Sequence, residues 1–156
     1  MSSFQLVGLP AEPFAPFFAM TDRELAGKGA RRVIAAESGR LPCRISLADA
    51  ECGDELLLLP YRHQPADSPY NASGPIYIRR GARQKILDAG EIPEYVSRRL
   101  ISVRGYDADH IMIDADVCDG PDVAAEIERQ FRNALVNYIH LHNAKRGCYS
   151  CLVNRA

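Results

Sequence analysis

At 156 residues, with 47% hydrophobic and 25% charged side chains and a formal net charge of -1, the chain has the composition of an ordinary globular protein. The near-zero charge argues against nucleic acid or a membrane surface as partner, and no apolar run approaches the ~20 residues of a membrane-crossing helix. Length predicts one domain over residues 1–156, large enough to bury about two-thirds of its unfolded surface. The start, M-S-S-F-Q-L-V-G-L-P, lacks the basic, apolar and small-residue regions of a secretory signal, so a cytoplasmic location is expected. Five cysteines at 43, 52, 118, 148 and 151 are then free thiols rather than a disulfide scaffold.

In chain order, Phe4 to Leu9 reads as a short strand ending at Pro10, and Phe14, Phe17 and Phe18 follow as core plugs among prolines. Thr21-Asp22-Arg23-Glu24 is a capping box that starts a short helix stopping near Gly27 or Gly29. Arg32 to Ala36 and Cys43 to Leu47 read as strands, the second with Cys43, Ile45 and Leu47 on one face and Arg44 and Ser46 on the other. Glu55 to Tyr61 is a continuous apolar run suited to a central strand. Arg62 to Pro75 has no period, but its prolines predict an ordered loop, and Ile76 to Arg79 returns as strand. Ala82 to Ala89 is loop or weak helix, Pro93 to Arg99 a short helix with Pro in its first turn, and Leu100 to Tyr106 a strand.

His110 to Cys118 alternates, with Ile111, Ile113, Ala115 and Val117 on one face and Met112, Asp114, Asp116 and Cys118 on the other. Asp122 to Leu135 carries the best helical stripe: Val123, Ile127, Phe131 and Leu135. Val136 to His142 and Cys148 to Val153 flank the turn residues Asn143 to Gly147 and predict a closing hairpin. The fold class is α+β, a bent and mainly antiparallel sheet with one long helix and several short ones.

Three strings, L-P-Y-R-H-Q-P-A-D-S-P-Y-N-A-S-G-P-I at 59–76, G-Y-D-A at 105–108 and Y-I-H-L-H-N-A-K-R-G-C-Y at 138–149, resemble a bacterial domain-of-unknown-function family, number 1203. The resemblance extends to the opening L-P-A-E-P-F and the R-R-V-I-A strand. It implies a small stand-alone bacterial domain, and it carries no established activity or catalytic residue.

The closing hairpin holds the densest reactive cluster. His140 and His142, two apart on a strand, project from one face about 7 Å apart at the backbone. A turn centred on Ala144 to Arg146 sets His142 opposite Cys148 and His140 opposite Ser150. Ile139, Leu141, Tyr149, Cys151 and Val153 then form the apolar face. A zinc quartet of His140, His142, Cys148 and Cys151 has suitable chemistry, but the odd spacing of the two cysteines sends them to opposite faces. A thiol–imidazole pair of Cys148 with His142 or His140, oriented by Asn143 or Asp107, is the alternative. So is a purely structural role for all of them.

In the Pro-rich loop His63 and Asp67 could reach the same pocket, with Tyr70 and Ser73 offering hydroxyls. Strand-borne Arg44, Arg79 and Arg104 suit an anion there, or pair with Asp114 or Asp116. The expected pocket combines the His63 loop, the Tyr106-Asp107 turn and the closing hairpin. The leading reading is a binding protein or enzyme for a polar or anionic small molecule. Its candidate catalytic residues are Cys148, His142, His140, His63 and Asp107, and its candidate ligand-binding residues Arg44, Tyr70, Ser73, Tyr106 and Asn143. The alternatives are a non-catalytic interaction module and a metal-binding protein using His140 and His142. Cofactor and oligomeric state are left open.

Overall fold

The computed structural model describes residues 4–156, so the first three residues of the M-S-S-F-Q-L-V-G-L-P start lie outside the described residues. The elements are α+β, with the strands divided between two five-stranded sheets. The first sheet orders β1 (Phe4–Val7), β10 (Tyr149–Arg155), β9 (Tyr138–Asn143), β7 (Leu100–Tyr106) and β8 (Met112–Asp119), all antiparallel. The second orders β2 (Arg31–Ile34), β5 (Glu55–Gln64), β6 (Ala72–Arg79), β3 (Pro42–Cys43) and β4 (Ala48–Asp49), with β3 and β6 parallel. Helices α1 (Ala15–Phe18), α2 (Asp22–Gly27) and α3 (Glu94–Ser97) are short. The fourth, α4 (Val123–Phe131), continues from a 3-10 turn at Gly120–Asp122.

Local chemistry explains most of these bounds. Thr21 caps α2 by accepting from the Glu24 backbone N–H at 3.1 Å. The apolar run at 55–61 becomes β5, flanked on both edges by strands. That strand continues to Gln64 and β6 starts at Ala72, so the region read as loop from Arg62 contracts to residues 65–71. The strand expected over 43–47 ends at its first residue; after Cys43 the chain turns, and Leu47 sits at φ 52. Both Arg44 and the predicted apolar set Cys43, Ile45 and Leu47 are buried there.

The α4 stripe buries Val123, Ile127 and Phe131 over the first sheet, but the helix ends at Phe131 and Leu135 is 71% exposed. Strand β8 alternates as read, yet the face turned to α4 is the polar one. Asp114 pairs with Arg129 of α4 at 3.0 Å and Cys118 packs on the core, while Ile113 and Val117 face outward. An edge strand needs only one covered face, and α4 covers the one that carries Asp114 and Cys118.

One core lies between α4 and the first sheet and includes Phe4, Leu6, Val103, Ile139, Leu141 and Cys151. A second lies on the second sheet and includes Leu9, Phe14, Leu25, Leu57, Ile78 and Tyr149. Tyr149 belongs to the second because the closing hairpin is not regular. Its register runs Tyr149 opposite His142 and then Cys151 opposite Leu141, leaving Ser150 as an extra residue. This β-bulge reverses the side-chain parity midway along β10. Tyr149 therefore leaves the apolar face predicted for it and joins the histidines, while Cys151 stays in the core.

Two buried side chains pin the bulge. The Tyr95 hydroxyl from α3 donates to the Ser150 carbonyl at 3.1 Å and accepts from the Ser150 hydroxyl at 2.8 Å. Arg44 Nε donates to the Tyr149 carbonyl at 2.7 Å. Ser150 thus faces Tyr95 rather than a pocket. Tyr95→Phe removes a partner from two fully buried groups and is expected to cost about 1–3 kcal/mol, measurable as a lowered urea midpoint with unchanged slope.

Candidate functional site

Strand parity on β9 sets Tyr138, His140 and His142 on one face, directed away from α4. Across β7 they oppose Tyr106, Arg104 and Ser102, and across β10 His140 opposes Leu152 while His142 opposes Tyr149. The extension of β5 brings in His63 from the second sheet. Its ring centroid lies 5.0 Å from that of His142 and 6.4 Å from that of His140, and these two are 6.5 Å apart. The Tyr149 ring stacks on His63 at 5.4 Å and meets His140 and His142 edge-on. The bulge is what allows this, since a regular hairpin turns Tyr149 away.

Desolvation governs the three imidazoles. Burial, reinforced by each other's charge and by Arg104, pushes His140 down to about 3 and His142 to about 4; His63 is lowered by burial and by Arg104. All three are neutral at physiological pH. The Gly147 carbonyl can only accept, so at 3.0 Å it fixes the His142 proton on Nδ1 and leaves Nε2 a bare lone pair. That atom, His140 Nδ1 and His63 Nδ1 are buried without a hydrogen-bond partner in the protein. Buried polar atoms of this kind are uncommon and call for a ligand, water or ion.

An open cleft leads from these rings along His63, Gln64, His110, Asn137, Tyr138 and His140. The Tyr138 hydroxyl bridges Gln64 Nε2 at 2.9 Å and His110 Nδ1 at 2.8 Å. His110 sits in the left-handed region, φ 62, which a non-glycine residue adopts only when held. The hold is visible: its N–H donates to the Asp107 carbonyl, and the Ser68 hydroxyl of the Pro-rich loop donates to the His110 carbonyl at 3.0 Å.

Of the residues singled out in the sequence, His63, His140 and His142 converge and Tyr106 lies beneath them, its ring stacked on Tyr138 at 5.2 Å. Asp107 does not enter the cleft; its carboxylate accepts the Asp109 and Ile111 backbone N–H groups and shapes the turn. Tyr70 is exposed, edge-on to Tyr106, and Ser73 is exposed on β6. Cys148 forms no hydrogen bond with a histidine among the described residues. Its sulfur accepts from Arg44 Nη2 at 3.1 Å and from Asn143 Nδ2 at 3.7 Å. The expected thiol–imidazole pair is therefore separated, because the bulge puts Tyr149, not Cys148, opposite His142.

Arg104 stays on the histidine face, donating to Ser102 at 3.0 Å, whereas Asp114 pairs with Arg129. Tyr138, Gln64 and His110 were not anticipated as site residues. Tyr138 shares the parity of His140 and His142 and was legible on that ground. Gln64 lies in the part of β5 beyond its apolar run, where no alternation marks a strand, and nothing in the sequence pattern marks His110.

These features define an α+β protein of two sheets with a histidine- and tyrosine-lined cleft where the sheets meet. The chain belongs to the family described as Protein of unknown function (DUF1203), whose profile matches residues 40–155. No curated protein and no solved structure matches it. Among the described residues, no group of three or more His, Cys, Asp or Glu side chains is arranged to hold a metal ion, and no helix is long and apolar enough to cross a membrane.

The depressed histidines make stability depend on pH. The unfolded chain protonates them near 6.5 and the folded chain only near 3 to 4, so the unfolded state binds more protons in between. Their stabilisation is complete above pH 6.5 and is lost as pH falls toward 4, by a few kcal/mol in order of magnitude. Chemical denaturation from pH 7.5 to 4 should show that loss, and His140→Gln should flatten the slope.

Proposed function

We propose that the protein binds a small polar molecule in the cleft between His63, Tyr138, His110 and His140. The observation that carries this reading is a cluster of three imidazoles that each keep a buried ring nitrogen without a partner, two of them, His63 and His140, lining an open cleft. Each neutral imidazole supplies one donor or one acceptor, and the Tyr138 hydroxyl, Gln64 and Asn137 add more. Lining residues include no Asp or Glu, and Arg104 stands across β7 and β9 from His140, so an acceptor-rich or anionic ligand fits better than a cation.

The histidine basicities favour binding over proton transfer. A general base works best with a pKa near the operating pH, and groups at about 3 and 4 lie far below it. His142 does not line the cleft; held by the Gly147 carbonyl, it packs behind His63 and His140, the two imidazoles that do.

Ligand-observed NMR with a set of small polar fragments tests this. Hits are expected to compete with one another and to weaken about tenfold in His110→Ala and Tyr138→Phe, the loss of one or two hydrogen bonds. Both side chains are only half-buried, so the fold is expected to survive, which an unchanged circular dichroism spectrum checks. Hits indifferent to both changes, and also to His140→Gln, would count against the cleft. Stoichiometric zinc in equilibrium dialysis, lost in His140→Gln, would instead favour metal binding by the same imidazoles.

A further inference from the structure

Cys148 opens onto a different cleft, on the other side of the hairpin turn. Its lining includes Arg40, Arg44, Arg98, Arg99, Lys145 and Arg146 and no Asp or Glu. Some of this charge is balanced nearby: Arg40 pairs with Glu37, and Arg98 and Arg99 share Asp49. Arg44, Lys145 and Arg146 have no carboxylate partner among the described residues. Arg44 is the telling member, being 1% exposed. Its guanidinium spends its donors on the carbonyls of Pro42 and Tyr149 and on the Cys148 sulfur, and none on an anion. A buried cation without a counter-charge is costly, and it projects a positive field onto whatever enters beside it.

The sulfur sits directly beside that cation, with Arg44 and Asn143 both donating to it and its residue half-buried. We propose that this cleft is a thiol–disulfide exchange site for small disulfides that carry carboxylates, with the cations holding the carboxylates and Cys148 attacking the disulfide. In the step Cys148 gives its proton to solvent and its sulfur attacks one sulfur of the ligand. The Cys148–S bond forms as the ligand S–S bond breaks, and the second half leaves as a thiolate with the electron pair. Cys148 is oxidised to the mixed disulfide and the ligand is the oxidant. A small thiol reverses the step.

The other cysteines are unsuited. Cys43 is fully buried. Burial pushes Cys151 up to about 12, and burial with the charges of Glu126, Asp122, Asp116 and Asp119 pushes Cys118 to about 11. Cys52 is exposed, follows Glu51, and donates to the Ala36 carbonyl at 3.4 Å. It is an internal control, accessible but without the cations. The inference is independent of the histidine cleft and stands or falls without it.

The test uses the full chain with two disulfides, 5,5′-dithiobis(2-nitrobenzoate), which carries carboxylates, and the neutral 4,4′-dithiodipyridine. Rates at each cysteine are followed by peptide mass spectrometry. The ratio of carboxylate to neutral reagent is expected to be about tenfold higher at Cys148 than at Cys52. Added phosphate should lower it. Lys145→Glu with Arg146→Glu, both at exposed turn positions, should bring it to the Cys52 value while leaving the neutral reagent unaffected. Equal ratios at the two cysteines, or a Cys148 ratio unchanged by the double substitution, overturn the proposal.

Discussion

The extra residue at Ser150 is the constraint on which the arrangement of both clefts depends. A bulge interrupts a ladder, and its carbonyls must find partners elsewhere. Here Arg44, from the turn that follows β3 of the second sheet, takes the Tyr149 carbonyl and Tyr95 from α3 takes the Ser150 carbonyl. The two sheets and a helix are thereby tied to one irregular peptide. The parity change lets Tyr149 reach across to the second core while Cys151, two residues later, stays in the first.

The same irregularity separates imidazole from thiol. With Tyr149 opposite His142, the aromatic ring fills the space where a thiol was expected, and Cys148 falls to the turn beside Arg44. Two environments of different chemistry result. One is built from neutral, desolvated rings whose bare nitrogens favour hydrogen bonding. The other is built from guanidinium and ammonium groups whose charges exceed their carboxylate partners. Low dielectric acts in both, suppressing charge on the histidines and amplifying the field of the buried arginine.

Edge strand β8 shows how a pattern can be read correctly and still be assigned no direction. Its alternation is plain in the sequence, but which face is covered depends on α4, and α4 brings Arg129 to Asp114. Ile113 and Val117 are left outward. The helix stripe likewise ran one turn too far: Val123, Ile127 and Phe131 pack, while the helix stops before Leu135.

The sequence by itself determined the α+β class, the capping box of α2, strand β7, the position of the closing hairpin and the shared face of His140 and His142. These follow from local periodicity and from groups a few residues apart. Tertiary structure decided the division into two sheets, the continuation of β5 that delivers His63 and Gln64, the recruitment of His110 and the burial of Arg44. It also decided the bulge, because an extra residue in a strand is stable only when its carbonyls meet distant donors, and Arg44 and Tyr95 lie 105 and 55 residues from the groups they satisfy. No local pattern encodes a partner at that separation.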